Sequence, residues 1–267
     1  MQRPCDAAPF YSALARLQEG SPSHPAVDSL FAHFLASFPL VLQLFCDPAF
    51  PFPLLGALHV RSDILLSHLS SSSPPSASGR ATCRWDTRSG SRLTSRGVEV
   101  SVRVELGGWA ATHTFLFFAH LPQGAARELE AAAPTPQVVP LLVPSPSDRT
   151  LSLPLQAALA LAWSALTQDY NPIHVSPLAA WLLGFRGGGV VAHGMSVLLL
   201  AMRRAVAGRL LTLPARDAAP LHVLVYFSRP LFLPDEKCSL FSSDALPGTI
   251  FVRSGLGRVC SILRVTE

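Results

Sequence analysis

LTQDYNPIHVSPLAAWLLGFRGGGVVAHGM, residues Leu166 to Met195, is the stretch from which the rest of this chain can be read. Asp169, the turn Asn171-Pro172 and His174 fall within six residues. Gly187-Gly188-Gly189 follows, then His193, Gly194 and a long apolar run. Proline sets its own φ and asparagine caps backbone groups, so the turn brings the side chains of Asp169 and His174 toward one small volume. His193-Gly194 stands where a helix is predicted to begin, and the first N–H groups of a helix can face that same volume. A carboxylate, an imidazole and an anion-stabilising helix end are the groups needed to add water to, or remove it from, an activated double bond.

Working outward, the second half, 155–267, reads as helix at Leu155 to Leu166, a short helix at Pro177 to Leu183 capped by Ser176, and a long apolar helix at Gly194 to Leu211. Strands are predicted at Leu221 to Arg229, Leu240 to Leu246, Thr249 to Ser254 and Gly257 to Val265. The first half, 1–120, has the same order. A helix over Val27 to Cys46 carries Leu30, Phe31, Phe34, Leu35, Phe38 and Leu42 at helical spacing, with Pro39 able to kink or divide it. Strands follow within Leu54 to Leu69, Arg80 to Trp85, Leu93 to Leu106 and Trp109 to Ala119. Val98, Val100, Val102, Val104 and Leu106 give the clearest alternation, and Gly107-Gly108 reads as a hairpin turn. Residues 121–154, rich in Pro, Ala and Ser, read as a linker, with a short helix at Arg127 to Ala132. A buried helix followed by antiparallel strands, twice over, is an α+β layer pattern with each sheet wrapped on one helix.

The 267 residues are enough for a sizeable core, and 49% hydrophobic against 14% charged residues marks a globular chain. The net charge of +4 is almost wholly arginine, Lys237 being the only lysine. It is too small and too scattered for a nucleic-acid protein and suits an acidic small molecule better. No run reads as long enough to span a membrane. Cys5, Cys46, Cys83, Cys238 and Cys260 are widely spaced and form no C-x-x-C pair, which points to a reducing compartment, cytoplasmic or mitochondrial rather than secreted. Exposed sheet edges leave pairing into a homodimer open. His33, His59, His113 and His120 lie in apolar or strand contexts and read as ordinary core or strand residues. The arginines at 80, 84, 88, 92 and 96 read as a solvated strand edge.

DYNPIH, a small-residue helix, GF and then AHGM resemble the hydratase motif of the MaoC-like enzymes, the (R)-specific enoyl-thioester hydratases and 3-hydroxyacyl-thioester dehydratases of fatty-acid metabolism. The likeness covers Leu166 to Met195 specifically. It continues more weakly through Tyr226 to Phe232, and FPLLGALHV at Phe52 to Val60 is similar to the degenerate repeat of two-repeat members. The resemblance implies a double hotdog: two antiparallel sheets, each around a central helix, with a degenerate first repeat and a catalytic second one. It implies that Asp169 and His174 hold the reacting water. His174 is then the base and Asp169 its polarising partner, or the two roles divide by direction of reaction. Gly194 would donate its N–H to the thioester carbonyl. It implies no metal and no redox cofactor, the substrate being a coenzyme A or acyl-carrier-protein thioester.

Asn171 is expected to hold the turn. His193 reads as structural ahead of catalytic, and Arg186 as a group for a substrate phosphate or for solvent. Two departures from the family pattern stand out. Thr167-Gln168 replaces Ser-Gly ahead of Asp169, and the triple glycine replaces a segment that usually carries a proline. The competing readings are a thioesterase on the same fold and a non-catalytic acyl-thioester binder. The first half, which lacks the Asp/His pair, is expected to shape the acyl pocket.

Overall fold

Alternating valines build the first sheet: Val98, Val100, Val102 and Val104 all lie on one strand face and are fully buried. The computed structural model describes residues 24–52, 57–67, 82–85, 91–94, 96–106, 109–118, 149–213 and 220–266. In chain order its elements in the first half are α1 (Pro25–Phe45), β1 (Leu58–Leu66), β2 (Thr82–Trp85), β3 (Ser91–Thr94), β4 (Gly97–Leu106) and β5 (Trp109–Phe117). The second half contains β6 (Thr150–Ser152), α2 (Ala158–Thr167), α3 (Pro172–Val175), α4 (Pro177–Leu182), β7 (Val190–Val191) and α5 (Gly194–Ala207). Then come β8 (Leu221–Phe227), β9 (Phe232–Leu233), β10 (Ser239–Ser242), β11 (Thr249–Arg253) and β12 (Val259–Thr266).

The architecture is the α+β double hotdog, with α1 and α5 as the central helices. The two sheets run edge to edge into one. The strand order is β2-β4-β5-β1-β8-β12-β11-β10-β6, with β3 also on β4 and every pair antiparallel. The seam is β1 with β8, from Arg61 opposite Tyr226 to Leu66 opposite Leu221. One core fills both halves, bringing Phe34 and Phe38 of α1 together with Leu198 and Met202 of α5. An ion pair between Asp28 of α1 and the buried Arg203 of α5 ties the central helices together.

Several elements differ from the sequence reading. The stretch expected as one strand over Leu93 to Leu106 is the hairpin β3–β4. It reverses where the Thr94 hydroxyl donates to the Gly97 carbonyl and accepts from the Arg96 N–H. Pro39 lies inside α1 without dividing it. At 21 residues α1 is also long and apolar enough to cross a bilayer by length and composition, which corrects the expectation that no run reaches that length. Its apolar residues Val27, Leu30, Phe31 and Val41 are buried in the protein core instead. Thr150–Ser152, within the stretch read as linker, forms the outer edge strand on β10. Residues 119–148, with the short helix expected there, and Gly107-Gly108 lie outside the described residues. The two-residue strands β7 and β9 are too short for any periodicity to reveal.

Candidate active site

The site is assembled from two backbone arms. The first begins at the end of α2. Thr167 turns its hydroxyl back onto the Trp163 carbonyl at 2.9 Å and accepts the Asp169 N–H at 3.3 Å. Gln168 then takes a left-handed conformation, φ 60° and ψ 20°. A side chain there costs about 1–2 kcal/mol relative to glycine, which is why glycine usually occupies this place. The Gln168 amide offsets part of that cost by donating to the Ala165 carbonyl at 2.8 Å.

Asn171 caps α3, with Pro172 as its first residue. Its backbone N–H donates to Asp169 Oδ1 at 3.1 Å, and its side-chain Nδ2 donates to the Ala57 carbonyl at 3.2 Å. Asn171 therefore aims the carboxylate and also fastens the site to the first half of the chain.

The second arm is the glycine run. A Cβ at Gly187 would run into the Phe232 ring, one at Gly189 into the Leu233 carbonyl oxygen, and Gly188 has φ +82°. The run is a close-packed crossing over β9, not a slack loop. It feeds β7, which pairs with β9, and the Ala192 N–H donates to the Leu231 carbonyl at 2.8 Å. These contacts fix the start of α5. Gly194 is its first residue, so its N–H has no acceptor within the helix. A Cβ on Gly194 would come within 2.6 Å of the Phe227 ring, so glycine is what permits this approach.

The arms meet at one cavity of about 110 Å³, whose lining includes Asp169, Asn171, His174, His193 and Gly194. His174 Nδ1 lies 2.6 Å from the Val191 carbonyl oxygen. A carbonyl only accepts, so Nδ1 carries the proton and neutral His174 keeps its lone pair on Nε2. Burial lowers the His174 pKa, while the Asp169 carboxylate and the bond to Val191 pull it back up.

His193 stacks on His174, with ring centroids 3.7 Å apart. Its Nε2 lies 3.3 Å from the Asp169 carbonyl and 3.8 Å from Asp169 Oδ2. Burial first, and the neighbouring His174 second, hold its pKa well below the ordinary range. His193 thus stays neutral and donates to the Asp169 backbone, a positioning role.

Asp169, His174 and His193 each offer a ligand atom within 4.8 Å of the others. The two imidazole planes lie only 25° apart in a stack. Their lone pairs, confined to the ring planes, run nearly parallel and do not converge on one ion at the ~2.0–2.1 Å that zinc requires. The donor set fits water and proton transfer better than a metal.

The structure therefore brings together five of the residues anticipated from sequence: Asp169, Asn171, His174, His193 and Gly194. Arg186 is not among them; it is exposed, with its guanidinium over the Trp181 ring at 5.8 Å. The guanidinium groups on the cavity lining are those of Arg96 and Arg229, both exposed. Sequence reasoning also missed His59, which lines the cavity from β1. Strict alternation along β1 places His59 with the outward Arg61 and Asp63. A bulge between His59 and Arg61 shifts the register by one residue and turns His59 inward, opposite Phe115. No sequence signal marks that bulge. The first half also lines the cavity with Phe34, Phe38, Leu42 and Phe45 of α1.

Residues 143–229 match the family described as MaoC like domain. The 3-hydroxyacyl-thioester dehydratase X of Mycobacterium tuberculosis (strain ATCC 25618 / H37Rv) is 29% identical over 203 residues, which is 75% of this chain and 65% of that protein. The match therefore spans a little under two thirds of the relative's length. The crystal structure of HtdX from Mycobacterium tuberculosis superposes with a TM-score of 0.65 at 24% identity, covering 99% of this chain and 97% of that one. A MaoC-like dehydratase from Phytophthora capsici superposes with a TM-score of 0.50 at 17% identity, covering 79% of this chain and 72% of its own. At these identities the structural likeness is one of fold.

Proposed function

We propose that this chain, whose residues 143–229 match the MaoC like domain, is a hydro-lyase that interconverts 2-enoyl thioesters and (R)-3-hydroxyacyl thioesters. The observation that carries this reading is the state of His174. Its Nδ1 is committed to the Val191 carbonyl, so Nε2 is a lone-pair base on a cavity shared with the Asp169 carboxylate and the first N–H of α5. The likeness to a protein named 3-hydroxyacyl-thioester dehydratase supports the same substrate class.

In the hydration direction, a water held between Asp169 and His174 Nε2 attacks C3 of the enoyl thioester. Charge moves onto the thioester oxygen, where the Gly194 N–H and the dipole of α5 stabilise it; one such donor is typically worth ~3 kcal/mol. The water loses a proton as it attacks and C2 gains one, and the Asp169–His174 pair carries out both transfers, a contribution of roughly 10²–10⁴ in rate. Dehydration runs the same steps in reverse, with the roles of acid and base exchanged.

Arg96 and Arg229 on the lining suit the phosphates of a coenzyme A or carrier-protein pantetheine arm. Asp169→Asn and His174→Ala are each expected to lower crotonyl-CoA hydration by about 10²-fold or more while leaving thermal unfolding cooperative. Undiminished loss of the enoyl absorbance band in either folded variant refutes the assignment.

A further inference from the structure

The wall of the cavity beyond the reacting groups is not simply apolar. The β1 bulge brings His59 inward beside Ser62, and β5 supplies His113. His59 Nε2 lies 3.0 Å from the Arg61 carbonyl and 2.8 Å from Ser62 Oγ, and Ser62 Oγ lies 2.9 Å from His113 Nδ1. The Arg61 carbonyl can only accept, so His59 carries its proton on Nε2 and shares it with Ser62 Oγ. The Ser62 hydroxyl then donates to His113 Nδ1. That leaves His59 Nδ1 as a lone pair, and the described residues offer it no hydrogen bond. Burial holds both rings neutral, His113 down to about 4.

His59 stacks on Phe115 at 4.7 Å and packs on Phe227 at 5.0 Å, the ring that also abuts Gly194. Along the cavity wall His59 is therefore one side chain away from the proposed carbonyl site. His59 is only partly buried, and it lines the cavity. An alkyl tail there would leave a desolvated acceptor unanswered, which is unfavourable.

We infer that the acyl group this site takes carries a hydrogen-bond donor, in its simplest form a hydroxyl, one or two carbons beyond the reacting pair, and that His59 Nδ1 accepts it. The inference rests on the proposed thioester site and adds a substrate class to it. A site built to bind a hydroxyl rejects the matching alkyl group more strongly than an apolar site rejects the hydroxyl.

The test is binding of unreactive saturated thioesters of equal length, measured by calorimetry: 5-hydroxypentanoyl-CoA, 5-fluoropentanoyl-CoA and hexanoyl-CoA. The protein is expected to bind the hydroxylated thioester at least about tenfold more tightly than hexanoyl-CoA, with the fluoro compound, which cannot donate, lacking the gain. His59→Phe is expected to reverse that preference. If His59→Phe does not fold, the wild-type ratio decides alone. Equal or weaker binding of the hydroxylated thioester, binding of neither, or a preference unchanged in folded His59→Phe overturns the inference. Crotonyl-CoA is assayed in parallel. A retained hydroxyl preference with no hydration of crotonyl-CoA would leave the ligand assignment standing and defeat the hydro-lyase reading alone.

Discussion

His174 works as a base because two opposing influences leave it neutral but basic. Burial lowers its pKa, and Asp169 and the Val191 carbonyl raise it again. The neutral form is thus present at pH 7 and is lost as pH falls through a pKa that lies below 6.5. An NMR titration of the His174 imidazole is expected to show its midpoint below 6.5, and a still lower midpoint in Asp169→Asn, where the raising charge is gone. A midpoint at or above 6.5 would contradict this balance. At this scale the sequence was most legible where spacing alone set the geometry. Asp169 and His174 sit either side of a proline-fixed turn, and Gly194 opens a helix. His59 was hidden because a bulge, not alternation, sets its direction. Of the two places open to Arg186, substrate phosphate or solvent, the exposed side chain takes the second, and the lining arginines come from the β3–β4 turn and the segment after β8.

Among elements, the glycine run has the most consequence per residue. It lacks the proline of the family pattern, but Gly187 and Gly189 lie against β9 and Gly188 takes a positive φ, which only the packing of the distant strand reveals. Because Gly189 meets backbone rather than a side chain, Gly189→Ala cannot be relieved by a rotamer change. It is expected to cost about 1–3 kcal/mol in denaturant unfolding and to raise KM or lower kcat through displacement of α5. A variant of wild-type stability and activity would show that the crossing is slack. The longer helices and most of the longer strands were legible from their periodicity, though not the reversal between β3 and β4 or the short helix α3. The edge strand β6 was not, since three residues in a Pro/Ser-rich stretch gain strand structure only from the exposed edge of β10.

At the scale of the whole molecule, the two halves act as one body through their shared core and, among the described residues, through polar and sheet contacts that cross between them. The β1–β8 seam joins their sheets, Asn171 reaches Ala57, and Asp28 pairs with Arg203 between the central helices. The double repeat was legible as a doubled element order, but the joining of its sheets depends on cross-strand register that no local pattern encodes. Asp28→Ala would strand a buried guanidinium whose Nε and Nη1 have no partner among the described residues. It is expected to lower unfolding stability by about 3–5 kcal/mol, the usual cost of breaking such a pair from one side. A loss below about 0.5 kcal/mol would place the pair with surface ion pairs of little consequence.

A hydro-lyase delivers water to the double bond and leaves the thioester intact, and the products of crotonyl-CoA report on that directly. Incubation with the wild-type protein should consume the enoyl absorbance and yield (R)-3-hydroxybutanoyl-CoA with no free thiol. Release of coenzyme A with the alkene preserved would contradict it and make the same residues those of a thioesterase.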